Sequence, residues 1–484
     1  LSDKSAGYDL YFENINSDFD SLISIYGIQV DIKVQDISAP AFLGTSGFYG
    51  TYKQGDELFI SLVFDEVISQ ESDLSDSYFS TTSGDFYYHS GAGSNILVYR
   101  GVLGEVEEEI EFLSFNNGSI EDFSGNQTAF EEPFSVSIEV EKSYDYTAEH
   151  YKVNSTGGFD LAQTEVFQGK EGEVVYAQEK DFSGYTVIEH PDSVQSGAVL
   201  SDGSLTLKLF YKLNQVYLGG GSDANDGSTP STAVATFAAA KNMILQDGFI
   251  IIADTVIISD EQIWDDSNVL RGFEGVLINI GEGGKLTLTN VIIDGKKDEF
   301  GSGLGSMIVV QEGGELVISG ASELKNNNST GLSEGGAINN SGTLVIQGGS
   351  ITQNNSNFGG GIFNNSSGEI LLTGGIIAEN TASNGGGIYN SEGKVEIENV
   401  DIYSNTATST NGGGGGIYTT AGELILNGDD VKIYQNKAVA GSSKGGGIFA
   451  AGWSAQKGSL RIYNALIFEN ESVYGGGIYI TQDS

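Results

Sequence analysis

The chain has 484 residues, room for about three domains. With 39% hydrophobic and 18% charged residues it can bury a core, which excludes global disorder. Its 66 acidic and 22 basic residues leave a net charge of −44, a field that repels phosphate backbones and anionic lipid surfaces and excludes nucleic-acid and membrane-surface roles.

Cysteine is absent, which removes disulfides, thiolate metal sites and thiol nucleophiles together. The 69 glycines come with 4 prolines and no Gly-X-Y period, so collagen is excluded too. No run of 18 apolar residues occurs, so this segment is not expected to insert into a membrane. The chain opens at Leu1 without a signal peptide and reads as a mature segment or a part of something longer.

Residues 1–36 carry little pattern and are read as the tail of a preceding repeat or as first strands. Residues 37–141 contain ISAPAF, YKQGDELFISLVFDEVI, NILVYRGVL, EEIEFLSF and EDFSGNQ. These are short alternating strands bounded by turns, which predicts a β-sandwich. The stretch resembles bacterial Ig-like or cadherin-like repeats, with Ala39-Pro40 at its start, Gly55-Asp56 in the first hairpin and Gly125-Asn126 near its end. Asp122 and Asn126 in DFSGN suit either an Asx-turn or a Ca²⁺ site.

Residues 142–215 alternate clearly over 172–177 and 204–211, and Asp202-Gly203 suits a hairpin turn between Val199 and Leu205. The pieces YTAEHY, TEVFQGKEGEVV, FSGY and SGAVLSDGSLTLKLFYKLN resemble mucin-binding-protein-like (MucBP) and internalin B-repeat modules of Gram-positive surface proteins. That resemblance implies a small β-grasp-like unit used as a spacer or as a glycan or protein contact.

From residue 216 onward the chain reads as a solenoid. The segment from Ala233 to Met243 is the one good helix candidate, with Ser231 or Thr232 as its N-cap, and it is placed to plug the open N-terminal end of the solenoid. Asp223 and Asp226 in SDANDG suit a turn or a cation site. Beyond the helix a glycine run with Ile after it recurs, at Ile338, Ile362, Ile388, Ile417, Ile448 and Ile478, spaced 24, 26, 29, 31 and 30 residues apart. Each unit adds an (L/V/I)x(I/L) piece and an (I/L)xxN piece, as in Leu344–Ile346 and Ile351–Asn354. One such unit cannot bury its apolar face alone, whereas stacked units can, so the expectation is a parallel β-helix with three strands per coil. Ile would stack on Ile inside, glycine would permit φ > 0 and close stacking, and Asn in αL would form a ladder.

The GGAI and (I/L)xxN motifs also resemble the polymorphic outer membrane protein repeats, with Ile or Leu where that family has Phe. The resemblance covers about residues 320–484 and implies a surface-exposed, adhesion-associated, passenger-like architecture. The last unit stops three residues past Thr481 without completing a coil, so the native protein is expected to continue.

The residue after each ladder Ile points outward by strand alternation. These residues include Phe363, Tyr389, Tyr418, Phe449 and Tyr479, which form either a strip for sugar rings or a protein partner, or a ladder that stabilises the coils. A catalytic site finds little support. His89, His150 and His190 all precede residue 216, Arg271 and Arg461 are the only arginines after it, and Asp429-Asp430 sits in an NGDD turn.

The expected fold is therefore all-β. It comprises an Ig-like sandwich, a β-grasp-like module and a right-handed three-strand-per-coil parallel β-helix with an N-terminal capping helix over 216–484. The expected function is an extracellular bacterial adhesin, anchored to the cell wall through a part outside this segment and contacting host or matrix glycans or proteins. The alternatives are a pectate-lyase-like enzyme and a structural spacer. No catalytic residue and no cofactor is expected, Ca²⁺ at Asp122, Asn126, Asp223 or Asp226 excepted.

Overall fold

The computed structural model describes residues 24–25, 28–29, 38–46, 50–104, 109–116, 118–128, 135–331, 335–451 and 459–481. The reading of residues 1–36 lies almost wholly outside them. The fold is all-β with long parallel sheets. The chain forms two compact units, one of residues up to Tyr146 with Phe167–Val175 and Ala198–Leu205, the other of Thr147–Val166, Tyr176–Gly197 and Thr206 onward.

In the first unit the expected sandwich takes the form of one seven-stranded antiparallel sheet with small two-stranded additions. Strict alternation builds its core. Leu58, Ile60, Leu62 and Phe64 of Glu57–Phe64 are buried, and so are Leu97 and Tyr99 of Ile96–Val102. Tyr99 and Phe115 lie on strands separated by two others in the ladder, yet their rings are 6.2 Å apart, so the sheet curls over its own core. The Tyr99 hydroxyl reaches Ser77 Oγ at 3.1 Å, as a buried phenol requires.

In the second unit, Thr206–Leu218 pairs parallel with Thr147–Lys152 and antiparallel with Tyr185–Ile188. The same strand then shifts register after Leu213, and Gln215–Leu218 pairs with Phe249–Ile252. One continuous strand thus crosses position 215 and opens the β-helix. Fully buried His150 sits under it, with Nδ1 2.9 Å from Tyr211 Oη and Nε2 3.2 Å from Glu165 Oε2. In the first unit, the turn expected at Asp202-Gly203 forms, with Gly203 at φ 70°. Val199, however, exchanges hydrogen bonds with the 172–173 segment rather than with Leu205.

The capping helix is shorter than the sequence suggests, Phe237–Met243, and Thr236 caps it through a hydrogen bond from the Ala239 N–H. Ala233 and Val234 are drawn out of it because Val234 exchanges backbone hydrogen bonds with Tyr217 and Gly219. Ser231 and Thr232 instead lie in a 3₁₀ turn capped by Thr229. Phe237, Ala239, Ala240 and Met243 are buried in the core that continues through the coils, and Phe237 stacks on Trp264 at 4.5 Å and 5°.

Each motif of the repeat occupies one sheet position. The Gly-Ile strands form a nine-stranded parallel sheet in which Ile278, Ile308, Ile338, Ile362, Ile388, Ile417, Ile448 and Ile478 are in register. The (L/V/I)x(I/L) and (I/L)xxN pieces run together as bent strands of the larger sheet, as in Thr343–Thr352 and Glu369–Ala378. Every ladder Ile up to Ile448 is fully buried, and each such burial stabilises by about 1.5–3 kcal/mol.

The Asn ladder is present, but the left-handed residue is the one before each Asn. Gln353, Glu379, Ser404, Gln435 and Glu469 have φ between 53° and 60°. That corner turns the following Asn inward, where Asn354, Asn380, Asn405, Asn436 and Asn470 hydrogen-bond in series at 3.0–3.1 Å. The glycines divide their tasks. Gly359, Gly385, Gly414, Gly445 and Gly475, each three residues before its ladder Ile, take positive φ, as Gly385 does at 63°, while the next residue, such as Gly386, admits the neighbouring coil.

Candidate functional site

The five candidate aromatics lie in one cross-strand row of the Gly-Ile sheet, paired residue to residue on the outer face. Phe363 stacks on Tyr389 at 5.3 Å and 15°, and Tyr389 on Tyr418 at 4.9 Å and 7°. The stack breaks at Phe449, which meets Tyr418 at 89° and Tyr479 at 68°. Lys444 Nζ lies 5.7 Å and 5.6 Å from the Phe449 and Tyr479 rings. Phe449 is buried and the other four rings are half-buried. Near-parallel stacking covers ring faces with neighbouring rings, so Phe363, Tyr389 and Tyr418 offer their edges, and the tyrosines their hydroxyls, to solvent, which is the ladder of the two alternatives rather than the flat strip. Burial, with Tyr389 alongside, pushes the Tyr418 phenol up to about 12.

A second ladder escaped the sequence reading. Tyr403, Tyr434 and Phe468 come directly after the Ile of the (I/L)xxN motif and stack at 5.0 Å, with interplanar angles of 15° and 4°. The signal was the aromatic at that one position in the last three units, IYSN, IYQN and IFEN.

Three residues beyond the first ladder on each coil runs an open groove of about 550 Å³. Glu369, Lys394, Glu423 and Ser459 stand in one register row along it, on four successive coils. Arg461 Nη1 pairs with Glu423 at 2.6 Å, and Lys394 Nζ with Glu396 at 3.2 Å. Glu369 and Glu392 are exposed on its wall. The wall therefore alternates donors and acceptors over three coil steps, roughly 14 Å.

Of the four cation candidates, Asp122, Asp223 and Asp226 accept local hydrogen bonds with their carboxylates, and Asn126 donates to Asp122. Asp122 accepts from the Ser124 and Asn126 N–H groups at 2.7 and 2.8 Å and from Asn126 Nδ2 at 2.6 Å, an Asx-turn. Asp223 accepts from the Ala235 and Thr236 N–H groups and the Thr236 hydroxyl, so it braces the start of the capping helix. Asp226 accepts from Ser228. Burial raises the Asp226 pKa, but hydrogen bonds from Thr232 and Ser228 outweigh it and leave the carboxyl below its ordinary value. Among the described residues no group of three His, Cys, Asp or Glu side chains is placed to hold a metal ion. Asp429 and Asp430 lie within the bent strand Glu423–Tyr434 rather than in the expected turn, because that stretch pairs along the next coil, and Asp429 accepts from Asn464 Nδ2 there. No protein-family model matches the chain, and neither a curated protein nor a solved structure does.

Proposed function

We propose that this chain is an extracellular bacterial cell-surface binding protein whose β-helix contacts host or matrix glycans. One observation carries the reading, the open polar groove that crosses four successive coils. Glycans are extended and carry hydroxyls that donate and accept, and paired Lys394–Glu396 and Arg461–Glu423 present both roles side by side. Open, solvated walls suit reversible contact along a chain. Binding of the full chain to an array of glycans and matrix proteins is the test. Lys394→Ala with Arg461→Ala is expected to weaken the glycan signal at least tenfold. Retained binding in that variant, or no glycan bound by the parent, overturns the reading.

A further inference from the structure

We infer that the outer face of the seven-stranded sheet is a second binding face, one that takes a neutral polysaccharide. Phe59, Arg100, Tyr87, Tyr78 and Asn116 are opposite one another on five adjacent strands and form one transverse row. The row stands on the face away from the core, since Leu58, Ile60, Tyr99, Phe86 and Phe79 beside them are all buried. Tyr87 is 55% exposed and Phe59 40%. Tyr78 lies 5.3 Å from Tyr87, and His89 packs edge-on to Phe59 at 5.2 Å.

These rings differ from those of the β-helix ladder in what they leave open. Stacked ladder rings cover one another, whereas Tyr87 and Phe59 are separated by the Arg100 strand and stay more exposed to solvent. Their separation of two strand steps is roughly 9.6 Å, a match to two sugar rings of an extended polysaccharide. Sugar C–H faces pack on such rings as other apolar surfaces do. Between the rings, Arg100 pairs with Glu57 across the ladder, which puts a forked donor next to a two-oxygen acceptor, the complement of vicinal hydroxyls.

Charge selects among partners. Glu57 neutralises Arg100, and the chain as a whole carries −44, so a polyanionic glycan or nucleic acid is repelled. A second copy of this chain would bring the same charge and the same exposed arginine against its twin. A neutral polysaccharide meets neither obstacle.

The face is independent of the β-helix groove, and the experiment separates them. The full chain is titrated calorimetrically with cellohexaose, xylohexaose, chitohexaose and mannohexaose. At least one is expected to bind, with Kd raised tenfold or more in Phe59→Ala/Tyr87→Ala and little changed in Tyr87→Phe. Lys394→Ala/Arg461→Ala should leave this binding intact, whatever it does to the groove. Both ring positions are exposed, so an unchanged melting temperature is expected and serves as the folding control. Equal affinity in the double alanine variant, no binding of any of the four by the parent, or a change of oligomeric state in the variant overturns the proposal.

Discussion

Arg271 Nη2 donates to Asn327 Oδ1 at 2.9 Å, and both side chains are buried. The other acceptors of the guanidinium are carbonyls of Gly295 at 3.1 Å, Phe273 at 3.0 Å and Gly275 at 2.5 Å. Asn327 heads the amide ladder, for its own N–H donates to Asn354 Oδ1, and the same direction repeats to Asn470. The side-chain carbonyls therefore all face the first coils, and the cation sits at their negative end, as a cation does at a helix C-terminus. Burial lowers the Arg271 pKa to about 10.

Arg271→Met removes every donor, leaving the Gly295 and Asn327 oxygens orphaned in the core and the Phe273 and Gly275 oxygens at its edge. Each orphaned acceptor costs about 1–3 kcal/mol, so the variant should lose at least about 3 kcal/mol. Urea unfolding tracked by circular dichroism reads this directly. An unchanged midpoint would mean that the acceptors find other donors.

The other ladder begins without such a cap. Asn340, Asn364 and Asn390 hydrogen-bond in series and end on Thr419 Oγ1, but buried Asn340 Oδ1 has no partner among the described residues. Its register neighbour on the preceding coil is Val310. Val310→Thr supplies a hydroxyl there with nearly the same shape. A gain of about 1 kcal/mol is expected, against a loss for Val310→Ala, both read as shifts in melting temperature.

These two ladders mark what the sequence could and could not reveal. The Ile spacing and the two shorter motifs were legible because each is repeated locally, and repetition turns a weak pattern into three in-register sheet rows. The role of Arg271 was not legible, since its acceptors come from positions 273, 275, 295 and 327. The helix start was misplaced for the same reason. Ala and Val at 233–234 favour or tolerate a helix by propensity, yet a bridge to Leu218 claims Val234 and leaves Thr236 as the cap. At the candidate site, alternation correctly placed the aromatics outside. It carried no information on ring-to-ring stacking, which decides whether faces or edges meet solvent. Nor did it reach the Phe59–Asn116 row, whose members come from five strands of one sheet.

The division of labour among glycines gives a paired test. A Cβ on Gly386 would come within 2.4 Å of Gly415 O and 2.6 Å of Thr406 N, all backbone of the next coil. A Cβ on Gly281, also free of positive φ, meets only Ile258 O at 3.8 Å. Gly386→Ala should therefore cost about 1–3 kcal/mol by forcing coils apart. Gly281→Ala should be neutral or slightly stabilising, since it only restricts the unfolded chain. Equal effects in the two variants would show that close coil approach is not what position 386 requires.

The stacked tyrosines predict how stability depends on alkaline pH. Burial, with Tyr389 adding to it, raises the Tyr418 phenol from 10.0 to about 12, and burial raises Tyr389 as well. A folded-state pKa above the unfolded value means that the unfolded chain ionises first. The stabilising contribution is therefore complete below pH 10 and is lost as pH rises towards 12. Within that window the slope from Tyr418 is at most about 1.4 kcal/mol per pH unit, and partial solvent access makes it smaller. Phenylalanine cannot ionise, so Tyr418→Phe should flatten the alkaline fall in melting temperature while leaving the neutral-pH value nearly unchanged. Phenolate absorbance, recorded across the same titration, should lose a late-ionising component in the variant. An identical alkaline profile in parent and Tyr418→Phe would place the Tyr418 hydroxyl in free solvent, and the half-buried stack could not then be the arrangement that holds these coils together.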